Sequence, residues 1–135
     1  MAYKDKNVVE RIADNLGIPD REAEALFTEI KRFLWVQSVR PPALLIAPPE
    51  FLDEIWHTFL QFSRSYRHFC EKILGQRLDH DPATRREKRA TRRLTSRQRA
   101  ARSMPALKFV QRKVGDRVLR LWYYTHPEKY GHLVP

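Results

Sequence analysis

The chain has 135 residues, and its 26 Lys and Arg side chains outnumber its 16 Asp and Glu side chains, so the formal net charge is +10. The longest aliphatic stretch, residues 43–47, is too short to span a bilayer, and the charged N-terminus lacks the apolar run of a signal peptide. We therefore expect a soluble cytoplasmic protein with no membrane partner, folded as one domain over residues 1–135.

The positive charge is concentrated in the C-terminal part. Residues 1–82 contain 11 basic and 13 acidic side chains, which gives −2, whereas residues 83–135 contain 15 and 3, which gives +12. This asymmetry indicates an anionic partner for the second part, with nucleic acid first among the possibilities. The only cysteine, Cys70, has no partner for an internal disulfide, which fits a reducing compartment.

The first part of the chain predicts two helices and a connector. An apolar stripe over residues 8–16 ends at Gly17, and a second stripe follows Asp20, which we expect to cap the second helix. Two proline pairs exclude helix from residues 38–49. Residues 44–46 read Leu-Leu-Ile, so we expect them to lie across the core rather than in water.

The most regular pattern in the chain follows this connector. Apolar residues recur at alternating steps of three and four from Leu52 to Ile73, the spacing of one helix face. Pro49 suits the first turn of a helix, and Gly75 suits the position just past its end. The pattern predicts one continuous helix over residues 50–74, and we expect an all-α domain packed around it.

The next segment is dominated by arginine. Thr84 and Glu87 form the T-x-x-E pattern that starts a helix, which we expect to run to about residue 102 and to project from the core because it has few apolar residues. We call residues 84–102 the basic arm. Against one acidic residue, Glu87, it contains nine basic ones: Arg85, Arg86, Lys88, Arg89, Arg92, Arg93, Arg97, Arg99 and Arg102.

A last helix is predicted beyond the basic arm. Ser103 and Pro105 suit its start, and an apolar stripe with steps of three and four continues to Leu121. Gly115 and the Asp that follows it would also suit the turn of a β-hairpin over residues 109–122, which stays as the alternative. We favour the helix because the stripe passes through the glycine without losing register.

Three residues could bind a metal ion. Asp53 and His57 lie one helical turn apart, and His80 in the following loop could fold back towards them. Cys70 would point about 140° away from His57 on a straight helix, so it cannot complete the site. The sequence therefore favours a structural role, in which His57 hydrogen-bonds a carboxylate and Trp56 packs beneath it, and we expect no cofactor.

The function that the sequence favours is nucleic-acid binding. Arginine outnumbers lysine eight to one among the basic residues of the arm, and guanidinium groups suit phosphate contacts with DNA or RNA. The alternatives are a protein–protein interaction module or inhibitor, for example one encoded by a phage, that docks on an acidic surface of a nucleoprotein complex, or a metal-binding domain. The chain contains no Gly-rich phosphate loop, nucleophile elbow or CxxC pair, so we do not expect an enzyme.

A family resemblance covers residues 25–82. It includes a helix that ends in Phe-Leu-Trp at residues 33–35, the proline connector, and a set of single residues: Asp53, Trp56, His57, Tyr66, Phe69, Cys70, Gly75, His80 and Pro82. With these residues the segment resembles the bacterial relatives of the glycine-rich domain-containing protein-like family. The resemblance implies a helical domain and leaves the function open. Phe59 stands where family members often carry a second histidine.

Overall fold

The computed structural model describes residues 3–133, and every regular element in that range is a helix. The all-α prediction is confirmed, and the β-hairpin alternative over residues 109–122 is wrong. No helix in the described range is long and apolar enough to cross a membrane. Seven α-helices follow one another: α1 (Lys6–Leu16), α2 (Asp20–Val39), α3 (Glu50–Gln61), α4 (Ser63–Phe69), α5 (Arg85–Arg92), α6 (Ser96–Arg120) and α7 (His126–Tyr130).

The first two predicted helices are present and pack against each other. The Asp5 carboxylate accepts hydrogen bonds from the backbone N–H groups of Asn7 and Val8, which starts α1. Gly17 ends α1 in the left-handed conformation at φ 65°, as predicted. The expected cap of α2 is wrong by one residue, because Pro19 occupies the cap position and Asp20 is already helical.

Helix α2 supplies one wall of the core along most of its length. Helices α1 and α3 both pack against it. The apolar side is wider than one stripe, as expected for a helix that contacts more than one neighbour. Seven of its apolar residues are buried: Ala23, Leu26, Phe27, Ile30, Phe33, Leu34 and Val36.

The connector between α2 and α3 contacts the core chiefly through Ile46. Ile46 is buried, and its carbonyl oxygen accepts a hydrogen bond of 2.6 Å from the Gln37 side-chain amide. Leu44 is half-buried against the core, as expected. The expectation is wrong for Leu45, which is 73% exposed.

The predicted single helix over residues 50–74 is broken in the middle. Helix α3 ends at Gln61, and Phe62 adopts φ −91° and ψ 67°, outside the helical region. Helix α4 restarts at Ser63 and continues into a π-helical turn, Cys70–Leu74, which Gly75 ends at φ 73°.

The break folds α4 back on α3, which a straight helix could not do. The Trp56 indole N–H donates to the Tyr66 hydroxyl at 3.0 Å, although ten residues separate them and would span about 15 Å on a straight helix. The rings of Phe59 and Tyr66 also meet edge to face with their centroids 5.1 Å apart. As a consequence Ile73, which the pattern assigned to the core, is 47% exposed.

The basic arm is also divided, so the prediction of one helix over residues 84–102 is wrong. Thr84 caps α5 with the predicted capping box. A second capping box at Thr95, with Gln98, starts α6 within the arm. The predicted start of a new helix at Ser103 and Pro105 is wrong, because α6 already begins at Ser96 and continues through Pro105.

The C-terminal elements return the chain to α2. Gly115 interrupts α6 with φ 85° and ψ 169°, and beyond it Trp122 lies in a π-helical turn, Leu121–Thr125. The Trp122 ring is fully buried and packs 5.4 Å from the Phe33 ring, centroid to centroid. Its indole N–H donates to a Glu29 carboxylate oxygen at 2.6 Å. This contact fixes the second half of α6 against the core.

Candidate nucleic-acid interface and histidine cluster

The basic arm lies almost entirely in solvent. No residue of α5 is buried, and all nine basic residues of the arm are exposed. Leu94, between the two helices, is the one half-buried residue of the arm. Local interactions therefore hold the arm in shape, chiefly the capping boxes at Thr84 and Thr95.

The positive charges of α5 lie on one side of the helix. At about 100° per residue, the six basic side chains from Arg85 to Arg93 fall within an arc of roughly 160°. Glu87 and Thr91 lie on the opposite side. Hydrogen bonds with Thr84 lower the pKa of the Glu87 carboxyl. The single acidic group of the arm therefore takes part in the helix cap, and its position on the helix places it away from the cations.

The cations of the arm are not neutralised by the rest of the described chain. Within residues 3–133, none of the nine basic side chains forms an ion pair. An open depression of about 440 Å³ is lined by Ala90 and by the side chains of four arginines. These arginines are Arg85, Arg86, Arg89 and Arg93. Such a cluster can accept a phosphate group.

A second basic surface lies between α2 and the second half of α6, and no sequence pattern pointed to it. An open groove of about 430 Å³ is lined on the α6 side by Lys113 and Arg117, and on the α2 side by Arg32 and Trp35. Arg32 donates to Glu29 at 3.0 Å, whereas the two α6 cations form no ion pair in the described range. The spacing of three residues on α2 and four on α6 is visible in the sequence, but the sequence does not show that these residues line one groove.

The three candidate metal ligands do come together. The loop after Gly75 carries His80 back to α3, where its Nε2 atom lies 2.7 Å from Asp53 Oδ1. His57 Nδ1 lies 3.8 Å from the other oxygen of Asp53, too far for a hydrogen bond. The expected hydrogen bond from His57 is therefore wrong, because His80 makes it instead.

We expected Trp56 to pack beneath His57. This expectation is wrong, because Trp56 packs beneath His80 instead. The Trp56 and His80 rings are stacked, with centroids 3.9 Å apart and an interplanar angle of 11°. The Tyr66 hydroxyl donates to the Leu78 carbonyl oxygen at 2.6 Å while it accepts the indole N–H of Trp56. Burial raises the pKa of Tyr66 well above its usual range, so this hydroxyl stays protonated and keeps both bonds.

Cys70 is a residue of the hydrophobic core. It is 2% exposed, and burial raises the pKa of its thiol. A buried thiol with a raised pKa is a poor nucleophile. Although the break at Phe62 redirects α4, Cys70 does not join the Asp53, His57 and His80 cluster.

Both features lie inside a region that matches a protein family. The family model described as UCP032817-like matches residues 4–124. The chain belongs to the UCP032817-like family. No curated protein and no solved structure matches this UCP032817-like chain. The resemblance to the glycine-rich domain-containing protein-like family stays a prediction.

Proposed function

We propose that the protein binds nucleic acid through phosphate contacts made by the basic arm. The observation that carries the proposal is the set of nine exposed basic side chains without an ion-pair partner in the described chain. Unpaired surface cations of one sign repel one another, so the arm is stabilised when an anionic ligand neutralises them. A polyphosphate backbone supplies such charges in a row.

The spacing of charges on α5 suits a nucleic-acid backbone. Residues 85–93 span about 13 Å of helix and carry six of the nine cations, so one charge falls in roughly every 2 Å. Duplex DNA carries about one negative charge per 1.7 Å of its axis. The one-sided arrangement lets all six cations face the same strand or groove edge.

Arginine also determines what kind of recognition we expect. The planar guanidinium group binds phosphate oxygens in a bidentate manner, and contacts to the backbone position a protein without reading base sequence. Binding should therefore be tolerant of sequence and steeply dependent on salt. The groove at Lys113 and Arg117 adds charge near the half-buried Trp35, an aromatic group of the type on which unpaired bases stack.

The test is a fluorescence-anisotropy titration of labelled duplex DNA and single-stranded RNA of mixed sequence, in salt from about 50 to about 200 mM. A variant with four substitutions removes the guanidinium groups around the depression: Arg85→Gln, Arg86→Gln, Arg89→Gln and Arg93→Gln. For duplex DNA we expect the slope of log K against log salt concentration to fall in magnitude by about 3 to 4, since each lost phosphate contact contributes about 0.9.

The control removes four exposed cations outside the arm, so its net charge equals that of the variant with four substitutions in the arm. Its substitutions are Lys6→Gln, Arg21→Gln, Arg67→Gln and Lys72→Gln, at positions that form no ion pair in the described chain. We expect its slope to stay close to that of the wild type. The proposal fails if the wild type does not bind at the lowest salt, or if both variants lose affinity equally. A stoichiometric protein partner captured after nuclease treatment would instead favour the interaction module.

A further inference from the structure

Three side chains with metal-ligating atoms meet where the loop after Gly75 folds back on α3. Asp53, His57 and His80 each offer one donor atom, and these atoms lie within 4.8 Å of one another. Asp53 and His57 project from one face of α3 because they are one turn apart. We propose that these three side chains bind one divalent transition-metal ion, for which Zn²⁺ is the first probe.

The separations of the donor atoms suit a small ion. In a tetrahedral zinc site with metal–ligand distances near 2.0–2.2 Å, neighbouring donor atoms lie roughly 3.3–3.5 Å apart. The Asp53 carboxylate has one contact on either side of this value: its Oδ1 atom lies 2.7 Å from His80 Nε2, and its Oδ2 atom lies 3.8 Å from His57 Nδ1. Because all three donor atoms lie within 4.8 Å of one another, no separation needs to shorten by more than about 1.5 Å. On binding, the ion takes the place of the hydrogen at His80 Nε2, and that proton moves to Nδ1 of the same ring or, from a protonated ring, to solvent.

A hydrogen bond between Asp53 and His80 accounts for the positions of only two of the three side chains in the cluster. It fastens the loop to α3 without any help from His57. Yet the His57 ring lies 4.9 Å from the His80 ring, centroid to centroid, and its Nδ1 atom lies 3.8 Å from Asp53 Oδ2, the oxygen that does not bond His80. At 3.8 Å this contact is too long for a hydrogen bond but short enough for both atoms to reach one ion.

The surroundings of the cluster hold the loop ligand in position. The His80 ring is stacked on Trp56, and the Tyr66 hydroxyl bonds the Leu78 carbonyl two residues earlier. Side chains that fix the orientation of a ligating imidazole are characteristic of metal sites, where they limit the rearrangement needed for binding. The break at Phe62 is what brings Tyr66 into this role.

Two imidazole nitrogens and one carboxylate oxygen make a ligand set of defined chemistry. The same set holds catalytic Zn²⁺ and non-haem Fe²⁺, and it leaves further coordination positions free. Those positions would face solvent here, since the side chains of His57 and Asp53 are 51% and 36% exposed. Water or a small anion would complete the coordination of the ion.

The test uses protein without an affinity tag, stripped of metal with a chelator and titrated with Zn²⁺ by calorimetry in the absence of nucleic acid. We expect one equivalent to bind, and His57→Gln to weaken binding by at least about tenfold, the effect typical of losing even an outer-shell partner. His57 is half-exposed, so its substitution leaves the fold intact. Asp53→Asn should weaken binding too, although an amide oxygen can still accept the bond from His80.

The matched control is His68→Gln, which removes an exposed histidine on α4 outside the cluster. Its affinity and stoichiometry should equal those of the wild type. Zn²⁺ should also raise the Tm of the wild type and of the control, but not that of His57→Gln, because only binding to the native state stabilises it. The proposal is overturned if the wild type binds no Zn²⁺, or if His57→Gln and Asp53→Asn bind it as well as the control.

Discussion

Helices α2 and α5 handle their positive charges in opposite ways. On α2, Lys31 is 3% exposed, its ammonium group donates to the Tyr3 carbonyl oxygen, and the nitrogen lies 4.7 Å from the centre of the Phe27 ring. Burial lowers the pKa of Lys31. On α5 no residue is buried and the cations form no ion pair with other described residues.

The difference shows which forces shape each region. The core folds by burying apolar area and accepts a charge only where neighbouring groups compensate for lost hydration. The basic arm buries nothing and depends on helix caps, so its side chains keep their hydration until a ligand replaces it. Substitutions should therefore act on global stability in the core, on local structure in the arm, and on both where the two regions join.

The largest expected effect is on the core contact that the C-terminal segment makes with α2. Trp122→Ala removes a fully buried ring and its bond to Glu29, which should lower the free energy of unfolding by about 3–5 kcal/mol. The measurement is denaturant unfolding followed by circular dichroism. The control is Tyr124→Ala, two residues away, where the side chain is 71% exposed. Its free energy of unfolding should stay within about 0.5 kcal/mol of that of the wild type. Equal losses would contradict the packing of Trp122.

A smaller effect is expected at the kink of α6. Gly115 adopts φ 85° and ψ 169°, a region that is essentially restricted to glycine, and no other group lies within 4 Å of an added Cβ. Gly115→Ala should therefore lower the free energy of unfolding by about 1–3 kcal/mol through backbone strain alone.

The matched control for the kink is Gly131→Ala. Gly131 has helical φ −56° and also has free space for a Cβ, so this substitution should be neutral or slightly stabilising. Thermal unfolding of both variants under one condition gives the comparison. If Gly115→Ala were as stable as Gly131→Ala, α6 would not be kinked at this glycine.

The smallest effect is expected in the arm, and it should be local. Thr95→Ala removes the oxygen that accepts the Gln98 backbone N–H at 3.1 Å, at a cost of about 1 kcal/mol to the start of α6. Because residues 95–105 are exposed, amides there should exchange with solvent roughly fivefold faster while the global free energy of unfolding stays the same. Hydrogen exchange with mass spectrometry measures both.

Thr125→Ala is the control for the cap, since Thr125 precedes α7 without making a side-chain capping bond. Its exchange rates should match those of the wild type. A drop in global stability on Thr95→Ala would show that the arm is coupled to the core, contrary to the comparison between the two regions.

Features fixed by neighbouring residues could be predicted from the sequence. The end of α1 at Gly17 and the cap of α5 at Thr84 depend on contacts within a few residues. The exposure of the arginines follows from their density, because a segment with so little apolar area cannot be buried. The second capping box, at Thr95, carried the same kind of signal, and it would have revealed the division of the arm.

Features that depend on distant packing could not be predicted. Nothing local distinguishes Phe62 from the residues around it, since the helix breaks there to let Tyr66 reach Trp56 across the fold. The position of His80 follows from that break, because Tyr66 then binds Leu78. For the histidine cluster, the sequence supplied the candidates and only the fold showed which of them make contact.

The place of the basic arm within the fold has a consequence for how it meets a ligand. The chain leaves the core after His80 and returns to it at Phe109 and Val110, which are buried, so the arm is an insertion held at both ends rather than a free tail. Fixed ends reduce the number of conformations that must be lost on binding. Because the segments on both sides of the arm pack in the core, a protease cut within the arm would leave the two fragments associated through the core. The basic side chains would stay attached, but the ends of the arm at the cut would be free.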